Sequence, residues 1–301
     1  MNTKFDNGQY LEYTSAANPR MPAILPQVMV PDFSFTKTSI TSIDLSKDLV
    51  TDYRATTPNC LASFITILAN ERTSCIANAT SHLFVVIAGS GTAKFTGGEI
   101  SWKERDVFVI PSGQEDILLA ATTNSVLYWV NDEPILSYLG VSPQRQIFAP
   151  TLFPAEKIIA FANQFNQDEK AQLRNRNGVL LGNEACPLTK TITPSLWALF
   201  NVIEPHSTQL PHRHNSVALD LSLSAKAGVY TLMGPELDED GKIKNAQRFD
   251  WGNGVGFITP PGWWHAHINE SDEQAIVLPV QDAGLQTYMR TLFIQFSSKN
   301  R

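Results

Sequence analysis

Positive charge, cysteine and long apolar runs are all sparse in this chain. Lysine and arginine together number 23 of 301 residues, they form no run, and the formal net charge is -6. Phosphate binding needs clustered positive charge, so nucleic acid is not an expected partner. No apolar stretch reaches the length of a bilayer span, and the opening MNTKFDNGQYLEYTSAANP lacks a basic start followed by an apolar segment. Neither a membrane nor a secretory destination is therefore expected, and the cytoplasm is the expected location. The three cysteines, Cys60, Cys75 and Cys186, are far apart and include no C-x-x-C pair. They suit reduced core thiols better than a disulfide framework or a zinc site. Histidine is also scarce, six in all, and unevenly placed: His206, His212, His214, His265 and His267 lie in the last third, with only His82 outside it.

What is abundant is apolar residue in short runs broken by Gly, Pro and Asn. HLFVVIAGSGTAKF, DVFVIPSG, SVLYWV, SVALDLSLS, GVGFITPPG and AIVLPV all carry this pattern of many short strands. One stretch has helical spacing, Pro154 to Asn175, with a proline placed to start it. It separates two strand-rich halves that repeat each other weakly. Laying Pro111–Gly113 on Pro260–Gly262 also lays Trp102 on Trp251, and a second block lays Gly91 on Gly228 and Gly97 on Gly234. The polar insertion PELDEDGKIKNAQ absorbs the shift between the two blocks.

Along a strand alternate side chains share a face, so in LPHRHNS the imidazoles of His212 and His214 point together and Arg213 points away. His265 follows a Pro-Pro-Gly turn that can bring a third imidazole to the same place. Three neutral imidazoles suit iron, cobalt, nickel, copper or zinc. They leave coordination positions open, the mark of a catalytic site rather than a structural one.

These residues carry a resemblance. H-x-H at His212 and His214, then Gly254, Pro260, Gly262, His265 and Asn269 in the order G-x5-P-x-G-x2-H-x3-N, resemble the two cupin motifs. The resemblance implies an all-β fold of two cupin (double-stranded β-helix, jelly-roll) barrels with a helical connector. The expected layout is an arm at 1–48, a barrel without a metal triad at 49–140, a connector at 141–190 and a metal-binding barrel at 191–301. The usual cupin glutamate ligand is absent, since Ala218 and Leu219 stand in its place. In this, and in PHRHNSVALDL and WWHAHIN, the chain is similar to the gentisate, salicylate and 1-hydroxy-2-naphthoate ring-cleaving dioxygenases. That similarity implies one divalent transition metal per chain, Fe(II) foremost, with Zn, Ni, Mn or Cu also compatible. It implies O2 and a small chelating aromatic or enolic substrate held side by side on that metal, and a homo-oligomer.

Two features depart from those dioxygenases. Where they carry an arginine that can bind the substrate carboxylate, this chain has Asp220, which by strand parity faces the same side as His212 and His214 unless a bulge intervenes. A carboxylate there favours a neutral, hydroxylated or cationic substrate unless another basic residue substitutes. They also place the metal in the first barrel. Here the repeat lays His212, His214 and His265 on Cys75, Ala77 and Asp116, and His82 reads as a core or pocket-edge residue.

Around the expected ligands His212, His214 and His265, the candidate catalytic residues are His267, which shares parity with His265, and Asp220. Trp251 and Trp264, with Trp263 beside them, are candidates for an aromatic substrate wall, and Gln281 with Asp282 for the pocket mouth. His206 reads as an approach-loop or turn residue. Two functions fit: an Fe(II) dioxygenase, or a metal-dependent cupin isomerase, hydrolase or non-catalytic small-molecule binder. The missing carboxylate favours the first, because acid-base chemistry needs a nearby base and only His267, His206 or Asp220 could serve.

Overall fold

A computed structural model describes residues 7–113, 116–166 and 176–297. Its first half contains β1 (Val28–Met29), β2 (Ser39–Ser42), β3 (Leu61–Ile67), β4 (Arg72–Cys75), β5 (Ser81–Ala88), β6 (Ser90–Phe95), β7 (Gly98–Lys103), β8 (Val107–Pro111), β9 (Ile117–Ala121), β10 (Ser125–Asn131) and β11 (Thr151–Phe153). The second contains β12 (Asn177–Leu181), β13 (Trp197–Ile203), β14 (Ser207–His214), β15 (Ala218–Ser224), β16 (Val229–Gly234), β17 (Gln247–Asp250), β18 (Gly256–Thr259), β19 (Trp264–Asn269), β20 (Ala275–Gln281) and β21 (Ile294–Phe296). Helix Ala155–Asn166 lies between them; 167–175, the rest of the expected helix, falls outside the described residues. No described helix is long and apolar enough to cross a membrane.

Strand for strand, the halves repeat. The first barrel pairs a sheet of order β11-β8-β5-β10-β3-β2 with one of order β4-β9-β6-β7. In the second, β1-β18-β15-β20-β13-β12 stands against β17-β16-β19-β14-β21, so that β15, β18, β20 and β13 take the places of β5, β8, β10 and β3. The repeat extends to single side chains. Asp132, just after β10, accepts from Ser81 N at the start of β5, and Asp282, just after β20, accepts from Val217 N ahead of β15. Residues 28–42 strap both barrels together, with β1 paired to β18 and β2 to β3.

The runs FVVIA and VLYWV do not alternate in hydrophobicity because both faces of these strands are buried. Leu83, Val85, Tyr128 and Val130 pack against Leu219, Leu221, Leu223, Leu278 and Val280 in one core between the barrels. The opposite faces look into the barrels, where the halves differ. Phe84, Phe108, Leu127 and Trp129 help to fill the first barrel with apolar side chains. The inward positions of the second hold Asn201, Asp220, Ser222, Thr259 and Gln281 beside a smaller apolar cluster.

Leu221 is fully buried in the core between the barrels. Leu221→Ala is expected to lower unfolding free energy by about 3 kcal/mol, read from urea denaturation, while metal binding per folded chain is unchanged.

Candidate metal centre

Strict alternation along β14 would not deliver the site. Gln209 faces inward, paired opposite His267 and bonded to the Asn201 amide at 2.8 Å. Three positions on, His212 also faces inward, opposite His265. The phase is reset by a bulge between Gln209 and His212, which contains Leu210 and Pro211. Proline has no N–H to give a ladder, so it is tolerated there. On the facing side, the Pro260-Pro261-Gly262 turn is closed by Trp263 N donating to the Pro260 carbonyl at 3.3 Å and docks onto β14 through Gly262 N donating to the His214 carbonyl at 2.7 Å, with Gly262 at φ +79. This turn starts β19 beside β14 and brings His265 in.

His212, His214 and His265 each offer a ring nitrogen within 4.8 Å of the others. Their ring centroids lie 4.0 to 5.6 Å apart. Burial pushes all three imidazoles well down, His214 to about 4, so each is neutral near pH 7 as metal ligation requires. The backbone sets two tautomers. His214 Nδ1 donates to the Ser216 carbonyl at 2.9 Å and His265 Nδ1 to the Trp263 carbonyl at 3.1 Å, which leaves the Nε2 lone pairs for a cation. The donor set fits a divalent transition metal.

Arg176 is the residue that sequence reasoning missed. It lies just ahead of β12, and its guanidinium donates to His212 Nδ1 and to the Leu210 carbonyl at 3.1 Å, so His212 would ligate a cation through Nε2 only once Arg176 releases Nδ1 and the ring proton moves there. Burial lowers its pKa to about 9, so it still carries its charge at neutral pH. No motif flags it. The signal was indirect: an aspartate stands at the position where a cation was expected.

Asp220 does face the barrel interior. Its carboxylate accepts from the Thr259 hydroxyl at 2.6 Å, and burial raises it to about 7 against the pull of Arg176 and Thr259. Gln281 reaches the cluster, with its amide nitrogen 3.5 Å from His214 Nε2 and its oxygen held by Ser216 at 2.7 Å. His267 is buried, 5.9 Å from the His265 ring. Trp251 donates to the Thr231 hydroxyl at 2.8 Å, and Thr231 lies 2.8 Å from His267 Nδ1. With one lone pair engaged by Trp251, the Thr231 proton can go to Nδ1, which puts the His267 ring proton on Nε2 and makes that nitrogen a donor.

Trp251 therefore backs His267, its ring 5.4 Å away. Trp264 requires a correction: it alternates with the inward His265 and His267, so it points out of the barrel, where the Arg213 guanidinium lies 4.8 Å above its ring. Phe296 of β21, not a tryptophan, lies nearly parallel to His212, with centroids 5.8 Å apart. Trp263 packs at the edge of the apolar cluster. His206 sits in an exposed turn, bonded to Asp272 at 2.9 Å. Asp282 does not reach the site and instead accepts from Asn59 of the first barrel at 2.8 Å.

His214→Ala or His265→Ala is expected to abolish stoichiometric metal uptake, measured by elemental mass spectrometry, with the circular dichroism spectrum unchanged. Asp220 gives a pH signature in chelator-treated protein. Its folded pKa near 7 lies above the ordinary 3.8, so the native state holds a proton that the unfolded state loses between those values. Wild-type stability should fall as pH rises from 4 to 7 relative to Asp220→Asn, whose urea midpoint lacks this component.

No family model matches the sequence. Over 123 residues it is 31% identical to a 5-nitrosalicylic acid 1,2-dioxygenase of Bradyrhizobium sp, which covers 39% of this chain and 53% of the relative. Over 161 residues it is 29% identical to gentisate 1,2 dioxygenase 1 of Aquipseudomonas alcaligenes, covering 54% of this chain and 43% of the relative. The chain thus spans about half the length of these curated relatives. Among solved structures, salicylate 1,2-dioxygenase of Pseudaminobacter salicylatoxidans superposes with a TM-score of 0.72 at 10% identity, over 95% of this chain and 92% of that one. A Cupin 2 conserved barrel domain protein of Leptotrichia buccalis gives 0.51 at 14% identity, over 86% and 96%. The chain has a two-barrel cupin fold, and it is similar in sequence to a 5-nitrosalicylic acid and a gentisate dioxygenase and in fold to salicylate 1,2-dioxygenase.

Proposed function

We propose that the chain is a mononuclear non-haem dioxygenase that opens the ring of a small hydroxylated aromatic acid, with iron(II) held by His212, His214 and His265 in the second barrel. The observation that carries this reading is the donor set: three imidazoles converge in a polar barrel interior, and among the described residues no carboxylate joins the cluster. The named activities of the sequence relatives point the same way. Iron bound there would supply the redox chemistry that lets O2 react with a chelated phenol.

The chain's own residues then divide the remaining work. Arg176 brings a planar fork, charged at neutral pH, next to His212, suited to a substrate carboxylate. It takes the role for which Asp220 is unsuited, and this moves the expected substrate from neutral back to acidic. Asp220, raised to about 7 and tied to Thr259, carries less negative charge at neutral pH than an exposed aspartate, so it opposes an acid less than its identity suggests. His267 Nε2 serves as a hydrogen-bond donor toward a substrate oxygen, oriented through Thr231 and Trp251. Gln281 holds a neutral amide beside His214 for the same purpose.

Anaerobic loading with Fe(II), followed by an O2-electrode assay with gentisate, salicylate and 5-nitrosalicylate, tests the reading. O2 uptake matched by loss of ring absorbance, absent in His212→Ala, is the expected outcome. An iron-replete protein that consumes no O2 with any of these acids contradicts it and leaves a metal-dependent cupin without O2 chemistry. Arg176→Met should retain the metal and raise the KM of the acid substrate by about tenfold or more, the worth of a charge-assisted hydrogen bond.

A further inference from the structure

The first barrel, which lacks a histidine triad, contains a cavity of about 610 Å³. Strands β4, β5, β6, β8 and β9 wall it, and its buried lining includes Cys75, His82, Phe95, Ile110 and Ile117. Where the second barrel gathers three histidines, this one has Cys75, Ala77 and Asp116, and among the described residues only the second-barrel cluster could hold a metal.

His82 gives the cavity its chemistry. It ends a column of rings in which Phe108 stacks on Phe84 at 4.9 Å, Phe84 on Trp129 at 5.9 Å and Trp129 on His82 at 5.9 Å. Of these four rings His82 alone lines the cavity, and the stack fixes its plane. Its Nδ1 is buried against protein without a hydrogen-bonding partner, so the imidazole meets the cavity by its other edge. Burial lowers the imidazole to about 4, so it is neutral, and burial likewise keeps the Cys75 thiol protonated. The buried lining therefore offers no charge. The ionisable Asp116 and Arg145 stand exposed at the rim with opposite signs.

We infer that the first barrel is a second, metal-free binding site for an uncharged phenolic ring, whose hydroxyl bonds to the edge of the His82 imidazole that faces the cavity and whose ring packs on Phe95, Ile110 and Ile117. A phenol is a stronger donor to a neutral imidazole than an aliphatic alcohol, and the apolar walls suit an aromatic body. A carboxylate has no cation to meet in the buried part. The site does not depend on metal in the second barrel, so it stands or falls separately from the proposed dioxygenase.

Titration calorimetry of the full chain with p-cresol, a phenol that cannot chelate, tests this directly. Wild type and His212→Ala should bind it equally, and toluene, which lacks the hydroxyl, about tenfold more weakly. His82→Phe should cost at least about tenfold in affinity. Ala77→Trp, at a half-buried wall position, should block the cavity and provides an independent check should His82→Phe not fold. A wild-type protein that does not bind p-cresol overturns the inference. So does binding that survives both first-barrel substitutions, or binding that is lost in His212→Ala.

Discussion

The phase of one strand decides whether this protein has a metal centre. Gln209 is locked inward by its amide pairing with Asn201, and three residues later His212 must also face inward. A two-residue period forbids that combination. The bulge at Leu210 and Pro211 permits it, and without the bulge the His212 and His214 imidazoles would turn outward while Arg213 turned into the barrel. The rest of the centre is built on the corrected phase. The Gly262 turn docks onto the His214 carbonyl, β19 aligns His265 with His212, and the backbone carbonyls of Ser216 and Trp263 set the tautomers.

The second constraint comes from duplication. Two copies of one sheet order pack back to back through a shared apolar core, which makes the outward faces of both large sheets interchangeable in character. The inward faces are free to diverge. In the first barrel they became apolar and aromatic, leaving a cavity at one end. In the second they became polar, and the paired groups Asn201 with Gln209, Asp220 with Thr259 and Ser216 with Gln281 satisfy one another around the histidines. A buried polar lining is tolerable only when its members are bonded in this way. The residues that link the barrels, such as Asp282 with Asn59, are distinct from those of the site.

Much of this was legible in the sequence because it depends on local spacing. The H-x-H pair, the Pro-Pro-Gly turn and the inward parity of Asp220 all follow from strand geometry over a few residues, and the repeat was visible in its glycines and tryptophans. The parity that turns His265 and His267 inward also puts Trp264 outside the barrel, against Arg213, although its aromatic ring suits a substrate wall. Arg176 could not be found this way. It reaches the site from the connector ahead of an edge strand that pairs with β13, and nothing local to Arg176 marks it as lying beside His212. The bulge has one sequence trace, Pro211, yet a proline before a histidine pair does not by itself say that the phase changes.

The central claim is that metal binds the second barrel and not the first. Anomalous diffraction at the iron edge from crystals of Fe(II)-loaded protein tests it most directly. A single peak among the imidazoles of His212, His214 and His265, with none in the first-barrel cavity beside His82, is the predicted result. A peak beside His82, or no peak in either barrel of fully iron-exposed crystals, would contradict the account.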